Sequence, residues 1–290
     1  MNDRAPLSEI SDTARWVAHF RALESERPSG IVRDPFARRL AGERGRAIAQ
    51  ALPKLSLEWV IPVRTRVYDE LILETLTSSS EITSVLNLAA GLDTRPYRLS
   101  LPSSLRWIEV DLPGILAAKA AVLAAERARC RVERVALDLN EPGALAALLS
   151  QLEAQGERVL VVTEGLLAYL DYAEVRSLAS ALYASPAVTT WILEAAMPEV
   201  LAQARRAWGK VLAPAGAEMK FAPASGLDFF SELGWRPRVV RSLLEEAQRF
   251  GREMRFAWLA RAVTFATRGR EAWRKIAMYG VLEKRGSFNA

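Results

Sequence analysis

The chain contains one cysteine, Cys130, and one histidine, His19, in 290 residues. A single thiol excludes an intramolecular disulfide framework and a cysteine-rich zinc site. A single imidazole excludes a multi-histidine centre, so no metal is expected. Long apolar runs are missing too. None reaches the roughly 18 residues that span a bilayer, and stretches such as Val159–Val162 have strand length. The N-terminal MNDRAPLSEISDTAR is polar, without the apolar core of a secretory signal. A cytoplasmic location is therefore expected. The chain also lacks internal repeats, low-complexity linkers and a G-x-G-x-x-G phosphate loop.

What is present reads as a globular protein. Half of the residues are hydrophobic and 25% are charged, a balance that excludes a wholly disordered or fibrous chain. The net charge of +5 is unevenly placed. Residues 201–290 hold 17 Lys and Arg against 8 Asp and Glu, and the rest hold 22 against 26. A basic C-terminal third can attract an anionic partner, or it can simply coat solvated helix faces. Arg236, Arg238, Arg241, Arg249, Arg252 and Arg255 are interleaved with acids, and no nucleic-acid motif accompanies them. Neither a nucleic acid nor a membrane is expected as a partner.

Hydrophobic periodicity divides the chain. Residues 11–27 carry a helical stripe, with Ser11 or Asp12 as cap. Asp34-Pro35 opens a second helix, and residues 57–77 form a third. From there short apolar runs alternate with helical stretches. The runs are Thr83–Ala89, Leu105–Val110, Val132–Leu137, Val159–Thr163 and Val188–Leu193; the helices are 113–129, 141–154 and 171–184. Such alternation implies a parallel sheet covered on both faces, with right-handed crossovers. Trp235–Arg241 and Ala277–Lys284 add two late strands around a mainly helical 242–274. We therefore expect one α/β domain spanning 1–290, with a seven-stranded sheet built from 78–196 and 234–290. A helical cap (1–77) and an inserted lid (197–233) complete it.

The strand ends carry the chemistry. The first strand runs into Asn87-Leu-Ala-Ala-Gly91-Leu-Asp-Thr-Arg95, a turn of small residues that lets a ligand approach the backbone. The second ends in Glu109-Val-Asp111. Asp111 lies 20 residues after Gly91, at the position where a carboxylate can accept hydrogen bonds from both ribose hydroxyls of a nucleoside. The third ends in Ala136-Leu137-Asp138-Leu139 and the fourth in Val162-Thr163-Glu164-Gly165. In an open α/β sheet this carboxyl edge holds the ligand crevice. Taken singly, each of these acids also suits a helix cap or an exposed charge.

The segments SDTARWVAHFRALE, DPFARRLAG, VRTRVYDEL, VLNLAAGLDTRPYRL, WIEVDLPGIL, VALDL and VTEGLLAYL span residues 11–170 in order. Together they resemble the leucine carboxyl methyltransferase family and its bacterial relatives, class I enzymes dependent on S-adenosylmethionine. The resemblance implies a Rossmann-like fold and S-adenosyl-L-methionine as cofactor. It implies that Arg64, with Arg66 as substitute, binds the cofactor carboxylate, and that Ala89 and Gly91 admit its methionine portion. Asp111 would hold the ribose, and Asp138 and Leu139 would flank the adenine. Glu164 would lie beneath the methionine amino group, with Asp93 and Arg95 structural. The chain departs from the family pattern twice: Ala89 replaces the first turn glycine, and Asn140 stands where arginine often helps to hold a substrate carboxylate.

The implied reaction is O-methylation of a small molecule or a peptide-like acid, by a monomer or a homodimer. A carboxylate nucleophile is already ionised at pH 7, whereas a phenol benefits from a base. His19 is the one histidine available as general base, and Tyr169, five residues after Glu164, can face the acceptor. Trp208, Phe221, Phe229, Phe230, Phe256 and Trp258 can line an apolar acceptor pocket or pack in the core. Protein C-terminal carboxyl methylation, a catalytically silent cofactor-binding module and a nicotinamide oxidoreductase are the competing readings. The last lacks its phosphate loop.

Overall fold

A computed structural model describes residues 11–51, 57–213, 216–254 and 256–285. Arg255 and the polar stretch before Ser11 lie outside them. Three helices come first: α1 (Ser11–Glu26), α2 (Ala37–Ala51) and α3 (Leu57–Ser78). The alternating part follows as β1 (Ser84–Leu88), α4 (Arg95–Arg98), β2 (Arg106–Asp111), α5 (Pro113–Val122), β3 (Arg131–Ala136), α6 (Ala144–Ala154), β4 (Val159–Val162), α7 (Tyr172–Ala184) and β5 (Val188–Ala196). The chain closes with α8 (Pro198–Leu212), β6 (Trp235–Ser242), α9 (Leu243–Arg249), α10 (Ala257–Arg274) and β7 (Ala277–Lys284).

The seven strands form one sheet in the order β3-β2-β1-β4-β5-β7-β6. The first five run parallel, and β7 lies antiparallel between β5 and β6. The direction of winding reverses between β1 and β4, which opens a crevice at the carboxyl ends of the strands. Alternate residues of each strand feed opposite faces. Leu86, Leu88, Val159, Val161, Trp191 and Leu193 pack with α6, α7 and the 3-10 segment Gly226–Leu233. Val85, Leu160, Val162 and Ile192 pack on the other face with Val67, Tyr68 and Leu71 of α3 and Leu243 of α9. Sandwiched in this way, β1 and β4 are buried at every position, which is why β4 is wholly apolar and β1 carries only Ser84 and Asn87 as polar residues.

Several boundaries differ from the periodicity. The second helix starts at Ala37 rather than at Pro35. Asp34 is withdrawn into buried contacts, accepting from Arg21 Nε at 3.0 Å and from Thr94 Oγ1 at 2.7 Å. Both candidate caps, Ser11 and Asp12, lie within α1, and the Asp12 carboxylate pairs with Arg44 of α2 at 2.6 Å, tying the two helices together. Helix α5 ends at Val122, short of the expected 129. The stretch 197–233 divides. Helix α8 borders the cavity described below, whereas Phe229 and Phe230 are buried in the core beside Trp191 and Trp235.

Three arginines of the basic C-terminal third form ion pairs with acids from earlier in the chain. Arg241 reaches Glu70 and Glu74 of α3, Arg249 reaches Glu70, and Arg252 reaches Glu24 of α1. The charge asymmetry thus fastens α9 and its flanks to the N-terminal helices. Among the described residues no helix is long and apolar enough to cross a membrane, and no group of three or more His, Cys, Asp and Glu is arranged to hold a metal ion.

Candidate active site

A cavity of about 1450 Å³ opens along the carboxyl ends of the parallel strands. Its lining includes Arg64, Ala89, Gly91, Asp111, Asp138, Leu139, Glu164 and Tyr169. These eight residues, all singled out in the sequence, therefore meet in one crevice, because each follows or ends a strand of the same sheet or, for Arg64, reaches that edge from α3.

His19 is the exception. Cavity-lining Ala14, Val17 and Arg21 share one face of α1, and His19 points elsewhere. It is buried beside Phe20 and Arg38, with Nδ1 3.4 Å from the guanidinium. Burial, and then the Arg38 charge, lower its pKa from the ordinary value, so the ring is neutral at pH 7. Arg66 is also not a lining residue: it is exposed, with Nε 3.0 Å from Glu70. Of the aromatic candidates, Trp208 and Phe221 line the cavity. Phe229 and Phe230 are core, and Phe256 and Trp258 are 60% and 63% exposed outside it.

The turn after β1 takes two residues through the left-handed region, Ala89 at φ 52° and Gly91 at φ 49°. The alanine that replaces the family glycine adopts the glycine's conformation, at a cost of about 1–2 kcal/mol. This curl turns Gly91 N towards Asp111 Oδ2, 2.6 Å away. The other carboxylate oxygen accepts Leu112 N at 2.7 Å. Each oxygen has a second lone pair left for an incoming hydroxyl. Burial pushes the Asp111 carboxyl above its ordinary value despite the two N–H donors and Lys119. Asp138 is exposed at the end of β3. Its Oδ1 accepts both the backbone N (2.9 Å) and the side-chain amide (3.0 Å) of Asn140. The residue that departs from the family pattern thus orients this carboxylate, and the second oxygen has no partner among the described residues.

Behind these tips runs a buried chain of charges. Arg98 makes a two-pronged contact with Asp69, at 2.6 and 2.7 Å. Arg95, 2% exposed, donates to Asp69 at 2.7 Å, to Asp93 at 3.1 Å and to Glu164 Oε2 at 2.7 Å. Arg64 Nε donates to Glu164 Oε1 at 3.0 Å, and Arg64 Nη1 reaches Glu194 Oε1 at 3.4 Å. Burial works against ionisation of Glu164, but the Arg95 and Arg64 charges more than offset it and hold the carboxyl below its usual value. Arg64 uses two of its five N–H donors here, and the others remain for a carboxylate.

Glu194, a cavity residue on β5, is not legible from periodicity because the apolar run ends at Leu193. The strand runs on to Ala196, extended by its antiparallel pairing with β7. Gly165 was also overlooked. Its backbone has φ 71°, and a Cβ there would meet Arg64 Nη1 at 3.3 Å. A signal for Glu194 did exist: an acid directly after an apolar strand, as at Glu164.

A family model described as leucine carboxyl methyltransferase matches residues 14–183. The chain belongs to the leucine carboxyl methyltransferase family. It is 36% identical over 198 residues to a protein of Streptomyces avermitilis, covering 64% of this chain and 68% of that protein. It is 40% identical over 180 residues to a protein of Streptomyces coelicolor, covering 56% and 60%. Both relatives are named as S-adenosyl-L-methionine-dependent methyltransferases. The matches thus span 60–68% of these curated relatives. In three dimensions the chain is similar to a crystal structure of a DUF574 family protein from Streptomyces avermitilis (TM-score 0.57, 16% identity, 94% of this chain and 97% of that one). It is equally similar to a crystal structure from Thermobifida fusca described as a methyltransferase (TM-score 0.57, 15% identity, 97% and 96%). These two share the Rossmann-like class I methyltransferase fold. The family match ends before β5, so Glu194, α8 and α10 lie beyond it.

Proposed function

We propose that this methyltransferase carries the methyl group of S-adenosyl-L-methionine to a carboxylate or hydroxyl oxygen of a small, secondary-metabolite-like acceptor. One observation carries the reading: the strand tips present unused hydrogen-bonding capacity in the order of the cofactor's parts. Asp138 and Leu139 on β3 suit the adenine, Asp111 on β2 the ribose, the Ala89–Gly91 turn on β1 the methionine backbone. Glu164 after β4, together with the spare donors of Arg64, suits the amino and carboxylate groups. The bound cofactor supplies a methyl group already activated by a sulfonium. The protein's share is to align an oxygen with it and exclude water.

Protein C-terminal carboxyl methylation is the second reading, favoured by the description of the matching family. The acceptor in either case is a small molecule or a peptide, not a nucleic acid or a membrane, handled in the cytoplasm by a monomer or a homodimer. Calorimetry with S-adenosylhomocysteine tests the cofactor assignment, and its failure to bind refutes the proposal. Transfer of labelled methyl groups to a panel of phenols, carboxylic acids and peptides then separates the acceptors. Tight binding without transfer to any member would mark a silent cofactor-binding module.

A further inference from the structure

Glu194 differs from its neighbour Glu164 in one respect. Both oxygens of Glu164 are occupied by arginines, on either side. Glu194 Oε1 accepts Gly165 N at 2.9 Å and the longer contact from Arg64, while Oε2 is buried without a hydrogen-bond partner. The terminal torsion of a glutamate is broad, so either oxygen can turn to a ligand. The groups facing it are Arg64 and the Tyr68 hydroxyl from α3, Glu164 and Tyr169 after β4, and Tyr279 from β7. The Tyr68 hydroxyl donates to Thr163 O at 2.9 Å and also lies close enough to the Glu194 carboxyl to favour its ionised form.

Position along the sheet places Glu194 at the end of the cofactor tips away from the adenine, beside Glu164 and Arg64. The order β3-β2-β1-β4-β5 sets it four strand spacings from Asp138, about 19 Å. The proposed cofactor assignments occupy β3 to β4. The same cavity is also lined by Trp208, Met219, Trp273, Ile276 and Met278. At about 1450 Å³ it exceeds the roughly 300–1,000 Å³ of a site for one drug-sized ligand, leaving room for an acceptor.

Charge narrows the class of that acceptor. Five of the six lining cations are engaged: Arg21 with Asp34, Arg64 with Glu164 and Glu194, Arg95 and Arg98 with Asp69, Lys275 with Glu271. Lys220 is exposed. An anionic acceptor at the β5 tip would face two carboxylates, Glu194 with Arg64 as its one arginine and Glu164 with Arg64 and Arg95. A neutral hydroxyl would find an acceptor oxygen.

We propose that Glu194 takes the proton of an acceptor hydroxyl, and that the acceptor is an uncharged, largely apolar molecule whose body lies among those five side chains. The inference rests on the transferase reading. As the acceptor oxygen bonds to the methyl carbon, the carbon–sulfur bond breaks with its electron pair going to sulfur. The hydroxyl proton passes to Glu194 and later to water. Burial pushes the Glu194 carboxyl above its usual value, with Glu164 adding to the effect and Arg64 opposing it. Two adjacent carboxyls driven apart in this way divide naturally into a fixed anion and a base.

The test compares 2-naphthol with 2-naphthoate on the full chain saturated with S-adenosylhomocysteine, by calorimetry at pH 7.5. The naphthol should bind at least about tenfold more tightly, because the anion meets like charge. Glu194→Gln should narrow that ratio to within about threefold while leaving S-adenosylhomocysteine affinity within threefold. With S-adenosylmethionine, transfer to 2-naphthol by the variant should lose about 100-fold in kcat with little change in KM, and the acid limb of its pH profile should disappear. Equal or tighter binding of the naphthoate to the wild-type chain overturns the proposal, as does a variant with unchanged ratio and turnover. Binding of neither probe overturns the apolar chamber. Failure of S-adenosylhomocysteine itself to bind marks instead the failure of the transferase reading. Should the variant lose that binding, the wild-type ratio still decides.

Discussion

Replacing Asp111 by asparagine is the most direct probe of the site. The carboxylate already accepts Gly91 N at 2.6 Å and Leu112 N at 2.7 Å, one on each oxygen. A ribose would add one hydroxyl to each remaining lone pair. The carboxamide is the same size but keeps one acceptor oxygen. Its NH2 group must face either a backbone N–H or a hydroxyl, and the charge is gone. A hydrogen bond to a charged group is worth about 1.5–3 kcal/mol, so the dissociation constant of S-adenosylhomocysteine should rise about tenfold to 150-fold. Calorimetry at pH 7.5 reads this directly, and thermal unfolding of both proteins shows whether the variant is folded. A folded Asp111→Asn protein with affinity within twofold of wild type would refute the ribose assignment. Acidity gives a second handle. Because burial raises this carboxyl, affinity should begin to fall at a higher pH than an ordinary aspartate would set. The same shift acts in the opposite direction on the unliganded fold. A raised folded pKa favours folding at low pH and loses that contribution as pH rises through it.

Four further outcomes follow from the buried charges. Arg95→Met leaves Asp69, Asp93 and Glu164 short of a partner and should lower unfolding stability by about 3 kcal/mol in urea; a loss below 1 kcal/mol would show that the remaining arginines suffice. At Asp93, burial is outweighed by Arg95, Lys119 and Arg98, which hold the carboxyl at about 2. Its contribution to stability is present above the ordinary value near ~4 and lost as pH falls towards 2. Wild type should therefore lose about 2 kcal/mol more than Asp93→Asn between pH 5 and pH 2, and parallel curves would contradict this. Arg64→Met should weaken S-adenosylhomocysteine binding about tenfold or more, whereas Arg66→Ala should not change it; the reverse pattern would transfer the role to Arg66. His19→Ala should leave transfer to an acceptor largely intact, and a hundredfold drop in kcat would restore it as the base.

The sequence alone determined the architecture and most of the crevice. Both faces of β1, β2 and β4 are covered, so those strands are mainly apolar. That made them visible, and the acids at their ends could be located by counting. Asp111, Asp138 and Glu164 were legible for this reason, and Arg64 through the resemblance alone. The tertiary structure decided what depends on rotation about a helix or on a partner far along the chain. Whether His19 or Arg21 faces the cavity is a matter of helical phase, set by how α1 packs against α2. Three basic residues of 201–290, Arg252, Arg249 and Arg241, gain partners that the sequence does not show, because the fold brings Glu24, Glu70 and Glu74 against them. Glu194 belongs to a strand whose last residues are held by β7, more than 80 positions later in the chain. Local periodicity reports which residues are buried, but only the pairing of distant segments sets which buried charges meet.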